Sequence, residues 1–139
     1  MLKKAYLDAV GVFDERLFLY YEDTDLAGIV YYANYLKFIE RGRSEWVRGL
    51  GIDQGKLKAE TGVVFAVRRL LADYLKPAVY DDALVVETRL QSLGNARIDL
   101  QQSVLRDTQV LFTAEVTLVC MGADGKAARI PQALRAALA

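Results

Sequence analysis

The chain has 139 residues, 53% hydrophobic and 26% charged, with Lys+Arg and Asp+Glu balanced at 18 each. That size and balance fit one globular domain over residues 1–139 and exclude the broad positive field by which proteins hold nucleic acid non-specifically. A single cysteine, Cys120, excludes an internal disulfide and a multi-thiolate zinc site, and the complete lack of histidine excludes an in-chain Ser-His-Asp or Cys-His triad.

Residues Arg16 to Glu22 alternate at period two and predict a first strand. It runs into the polar segment Asp23-Thr24-Asp25-Leu26-Ala27-Gly28, read as a loop. Asn34 is the expected N-cap of a helix over about Tyr35 to Leu50. Leu36, Ile39, Trp46, Val47 and Leu50 give that helix one apolar stripe, and Gly42 and Ser44 suggest close approach of another backbone layer. After an irregular stretch, Gly51 to Gly62, four strands are predicted: Val63–Leu75, Ala83–Leu93, Ala96–Arg106 and Gln109–Met121. Turns at Lys76-Pro77, Gly94-Asn95 and Asp107-Thr108 separate them, and a short helix over Gln132–Leu138 follows Pro131.

The predicted architecture is α+β, one long helix wrapped by a mostly antiparallel sheet of about five strands. Leu84, Val86, Leu90, Leu111 and Val119 are assigned to the sheet face away from the helix, which makes oligomerisation the expected way to cover them. No apolar run approaches the roughly 20 residues of a membrane helix, and acids interrupt the start where a signal peptide needs an apolar core, so a cytosolic location is expected.

Acids, tyrosines and a glycine concentrate between Tyr20 and Tyr35, at a strand end and a helix start, where functional groups are commonly carried. By residue type alone, solvated loop acids and core tyrosines are the more ordinary reading. Their order, however, Tyr20-Tyr21-Glu22-Asp23-Thr24-Asp25-x-x-Gly28-x-Val30-Tyr31-x-Ala33-Asn34-Tyr35-Leu36-x-Phe38 followed by Glu40-Arg41-x-Arg43, resembles the signature of the 4-hydroxybenzoyl-CoA thioesterase family, in particular its Tol-Pal-associated acyl-CoA thioesterase branch. The resemblance extends through Val67-Arg68, Asp73-Tyr74-x-x-Pro77-Ala78, Asp81-Asp82 and Arg129-Ile130-Pro131.

The resemblance implies a hotdog fold whose active sites form between two subunits, and hydrolysis of an acyl-CoA or acyl-carrier-protein thioester by a homodimer or homotetramer. Asp25 falls on the family's catalytic aspartate, acting as nucleophile or as base toward water. Tyr21 aligns with a tyrosine near the reacting centre. Tyr32 stands where many of the branch carry histidine, so it is a hydrogen-bond donor or a pocket wall. Oxyanion donors are expected from the Tyr32 amide and from the Val63-Val64-Phe65 segment, with Val64 and Phe65 contacting substrate. Arg129 is the substrate-binding cation, among the further candidates Arg68, Arg69, Arg97 and Lys126 for phosphate. Glu60 is a secondary carboxylate candidate, because another lineage with this fold takes its carboxylate from that region. No cofactor is expected, and Glu22, Asp23 and Asp25 lack the pattern of a metal site. Without histidine, the chain does not fit a hotdog dehydratase; an acyl-thioester-binding module without turnover is the alternative.

Overall fold

The computed structural model describes residues 3–7, 12–18, 32–79 and 82–138. Six strands form one sheet: β1 (Lys3–Leu7), β2 (Val12–Phe18), β3 (Val64–Tyr74), β4 (Ala83–Leu93), β5 (Arg97–Arg106) and β6 (Gln109–Met121). Their order across the sheet is β1-β2-β4-β5-β6-β3, and every neighbouring pair is antiparallel. The sheet therefore exceeds the expected five strands by one. The extra strand is Lys3–Leu7, and β2 begins at Val12, ahead of the expected Arg16; the rest of that expected strand, Leu19 to Glu22, lies outside the described residues.

One helix, α1 (Asn34–Gly49), packs on the sheet against β4, β5 and β2. It starts one residue earlier than predicted, so Ala33, which has no side-chain acceptor, takes the N-cap position given to Asn34. Tyr35, Phe38, Ile39, Gly42, Trp46 and Val47 are buried, the i, i+3, i+4 spacing of a helix with one face in a core. Leu36, predicted for that stripe, is instead exposed, because Tyr35 and Phe38 take the inward positions of the first turn. Gly42 is where helix and sheet come closest: a Cβ there would lie 2.6 Å from Val86 Cγ1. Ser44, by contrast, is exposed, so close approach does not explain it.

Period-two alternation then fills the helix-facing side of the sheet with Leu84, Val86 and Thr88 of β4, Ile98, Leu100, Gln102 and Val104 of β5, and Phe112, Ala114, Val116, Leu118 and Cys120 of β6. Cross-strand rows such as Ile98 with Leu118 and Val104 with Phe112 stack these residues beneath α1. This corrects the predicted face of Leu84 and Val86, which lie under the helix, and of Leu90, which pairs with buried Leu100. Leu84-Val85-Val86 is a continuous apolar run, so its phase is not legible from alternation. Leu111 is also fully buried: a register shift pairs Leu105 with Val110 and Val104 with Phe112, leaving Leu111 as the extra residue of a bulge. Only Val119 stays on the outer face.

The centre of that outer face is polar. Asp99 accepts from Ser92 Oγ at 2.6 Å and Thr117 Oγ1 at 2.8 Å, and Arg97 Nε lies 3.2 Å away. The Ser92 hydroxyl, with Thr117 and Arg97, holds the Asp99 carboxyl below its ordinary range against the opposing effect of burial.

The stretch predicted to be irregular contains α2 (Gln54–Thr61). It buries no side chain, so it carries no apolar periodicity for a sequence reading to find. Its ends hold it instead: Asp53 Oδ1 accepts from the Lys56 amide at 3.0 Å, and Gly62, at φ 74°, closes the C-terminus with its amide on the Lys58 carbonyl at 2.8 Å. The C-terminal helix α3 (Gln132–Leu138) buries Leu134 against the same core.

Candidate active site

Asp25 and Tyr21 lie outside the described residues, as do Glu22 and Asp23. The other candidates divide between the two ends of β3. At its C-terminal end Tyr32, 61% exposed, sets its ring edge-on to Tyr74, with centroids 6.0 Å apart. Tyr74 in turn meets Tyr35 at 5.6 Å and Phe112 at 5.0 Å, while Tyr35 stacks on Phe112 at 5.1 Å. The buried Tyr35 hydroxyl accepts the Ala78 amide at 2.9 Å, which ties the start of α1 to the β3–β4 connection. Burial pushes the Tyr35 hydroxyl up from its usual range, and burial with the neighbouring Tyr32 does the same to Tyr74. The Tyr35 and Leu36 amides of the first turn are taken by the Tyr32 and Ala33 carbonyls.

Val64 and Phe65 begin β3 at the opposite end, paired with Met121 and Cys120. Phe65 and Tyr74 stand nine positions apart, about 30 Å of extended strand. One chain therefore does not bring Tyr32 and Phe65 together. Phe65 stands between two adjoining clefts. One, of about 330 Å³, runs between α1 and the ends of β3, β5 and β6, with Trp46, Val47, Val67, Ile98, Leu118 and Leu134 on its apolar walls and Glu40, Arg43, Ser44 and Gln54 as polar lining. The other, of about 300 Å³, lies under α2 and is lined by Val63, Val64, Leu57 and Lys58, sharing Gln54 and Phe65 with the first.

Arg129 is exposed at this same end, between the Ala128 amide on the Cys120 carbonyl and the Ile130 amide on the Asn95 carbonyl, and it lines neither cleft. Arg68 and Arg69 are exposed where β3 shifts register, and Glu60 is exposed on α2. Among the described residues no three His, Cys, Asp or Glu side chains stand together as metal ligands. Cys120 is fully buried and its thiol is pushed up to about 11 by burial, so it is protonated packing.

The sequence reading missed a buried polar group beneath α1. Gln102 is fully buried; its Nε2 donates to the Ile39 carbonyl and to Thr88 Oγ1, both at 2.9 Å, and its Oε1 accepts from Arg43 Nη1 at 2.9 Å. Burial lowers the Arg43 pKa, and the nearby Glu40 carboxylate opposes that. The signal was present: Gln102 shares the inward phase of Ile98, Leu100 and Val104.

A profile of the thioesterase-like superfamily matches residues 20–138. The chain is 42% identical over 103 residues to an acyl-CoA thioesterase, YbgC, of Haemophilus influenzae, covering 74% of this chain and 76% of that one. It is 40% identical over 104 residues to the acyl-CoA thioester hydrolase YbgC of Escherichia coli O157:H7, covering 74% and 77%. Among solved structures, a probable thioesterase from Bartonella henselae superposes with a TM-score of 0.83 at 35% identity, over 87% of this chain and all of the other. A 4-hydroxybenzoyl-CoA thioesterase superposes at 0.86 over 92% of this chain and 99% of its own, and at 22% identity that likeness concerns the fold.

Proposed function

The chain belongs to the thioesterase-like superfamily and is an acyl-CoA thioester hydrolase, and we propose that it cleaves its substrate with the Asp25 carboxylate in sites built by two copies of the chain. The carboxylate attacks the thioester carbon or takes a proton from the water that does; either route breaks the C–S bond and releases a free acid and a thiol. A thiolate leaves without the protonation an amine needs, so the reaction suits a chain with no imidazole. Tyr21 and Tyr32 lie with Asp25 in the same motif, and we assign them to the reacting centre, with Val64 and Phe65 as substrate contacts and Arg129 as a cation for the CoA phosphates.

The observation that carries the two-copy reading is the separation of Tyr32 from Phe65 along β3. β3 is a sheet edge that exposes Val67, Leu71 and Tyr74. Pairing it antiparallel with the same strand of a second copy sets the Phe65 end of one chain beside the Tyr74 end of the other. An edge covered in this way replaces the outer-face argument for oligomerisation, since the centre of that face is polar. We read residues 1–139 as one domain and place it in the cytosol, in keeping with the lack of any helix long and apolar enough to cross a membrane among the described residues.

The test is thiol release from short, medium, long and aromatic acyl-CoAs, in wild type and Asp25→Asn. The expected result is turnover by the wild type and a loss of about 10²–10⁴ in the variant with folding intact, the range for a positioned acid or base. Turnover retained in Asp25→Asn would move the role to Glu60. If no CoA ester is cleaved, acyl-carrier-protein thioesters are next, and binding of these without cleavage would establish a non-catalytic module.

A further inference from the structure

Arg43 is held with unusual definition for a side chain that borders a cleft. Both hydrogens of the Gln102 amide are committed, one to the helix carbonyl of Ile39 and one to Thr88, so its oxygen is turned toward Arg43 Nη1. Gln102 is fully buried, and reversing its amide would set an oxygen against a carbonyl. Among the described residues this is the one hydrogen bond that Arg43 makes, and Arg43 lines the cleft, so guanidinium N–H groups that Gln102 does not take are left for a ligand there.

Guanidinium N–H groups open to solvent are satisfied by water. An acyl group entering between Trp46 and Phe65 displaces that water and strands them, unless the acyl group brings an acceptor of its own. The Glu40 carboxylate borders the same cleft, so its lining is charge-balanced. A carboxylate ligand would meet repulsion from Glu40, whereas a hydroxyl accepts from Arg43 and is tolerated by, or donates to, Glu40.

We propose that Arg43, oriented by Gln102, is a specificity-determining residue that selects acyl groups carrying a neutral oxygen, a hydroxyl first, several atoms from the thioester. This rests on the hydrolase reading above, through Phe65, which is both a proposed substrate contact and a wall of the cleft.

The test compares octanoyl-CoA with its 6-hydroxy and 8-hydroxy derivatives by thiol release. In the wild type at least one hydroxylated ester should exceed octanoyl-CoA in kcat/KM by about tenfold, mainly through KM, as one hydrogen bond to a charged group would give. Arg43→Met should bring that ratio to about one. Arg43→Lys keeps the charge without the planar fork, so it should lower the ratio while circular dichroism reports an intact fold. Equal wild-type values, or a ratio unchanged in both variants, would overturn the proposal.

Trp46 gives a readout that needs no turnover, because it is the only tryptophan and lines the cleft. Its emission should report 8-hydroxyoctanoate binding about tenfold more tightly than octanoate in wild type, and equally in Arg43→Met. No emission change, equal affinities, or a preference for octanedioate overturns the assignment. If no thioester is cleaved yet the emission still discriminates, the hydrolase reading fails and the cleft assignment stands.

Discussion

The two ends of β3 solve the same packing problem with different chemistry. At the C-terminal end, Tyr35, Tyr74 and Phe112 close the layer between helix and strand, with a single polar tie from Ala78 to the Tyr35 hydroxyl. Toward the other end the layer is left open as a cleft walled by Trp46 and Phe65, and the Arg43 guanidinium, held by Gln102 from the row of Ala72 and Ala114, supplies a charged group to its lining. The closed end is filled by packed rings; the open end can admit a ligand. The proposed antiparallel pairing of edge strands would set a closed end against an open one.

The largest effect that would break this comparison is on activity. Phe65→Arg, which fills the open end, should be nearly inactive alone, as should Asp25→Asn. Co-refolding the two should restore about a quarter of wild-type turnover, because random pairing makes half the dimers mixed and each mixed dimer holds one intact site. No recovery would place both residues in one chain's site.

Stability changes sharpen the contrast further. Tyr35→Phe leaves the Ala78 amide, on a fully buried residue, without its acceptor and should cost about 2 kcal/mol in urea unfolding. Burial raises the Tyr35 hydroxyl, so the folded state keeps that proton to higher pH than the unfolded chain does. Its contribution is therefore complete below the usual tyrosine pKa of about 10 and is lost as pH rises above it. The variant should show a shallower loss of stability in that alkaline window.

Gly42→Ala sets a methyl 2.6 Å from Val86 Cγ1, an overpacking cost of about 1–3 kcal/mol that the better helix propensity of alanine offsets by about 1. The net expectation is a loss of up to about 2 kcal/mol, read as a lowered urea midpoint. Smallest is Asp53→Ala, which removes the cap of a helix that buries nothing, about 1 kcal/mol, and it should speed amide exchange in α2 while leaving α1 protected.

Much of this fold was legible in the chain. The strands Ala83–Leu93 and Gln109–Met121 and the helix Gln132–Leu138 fall where alternation, turns and Pro131 put them. α2 was not legible, because its signals were only an aspartate cap and a closing glycine around polar residues. The faces of Leu84 and Val86 were misread because β-branched and aliphatic residues fill both phases of that strand. Of the candidate site, Tyr32, Val64 and Phe65 were singled out through the family resemblance, whereas Arg43 had appeared as a polar helix position and a signature residue without a role.

The sequence by itself determined the family, the lack of any imidazole for the chemistry, and the periodicities that make one helix and a set of antiparallel strands. These depend on residue type and local spacing alone. Only the tertiary structure decided which phase of each strand faces α1, that Gln102 fixes Arg43 at a cleft, and that Tyr32 and Phe65 stand at opposite ends of an edge strand. Those facts depend on register and on contacts between residues far apart in the chain, 63 positions for Gln102 and Ile39, which no local pattern encodes.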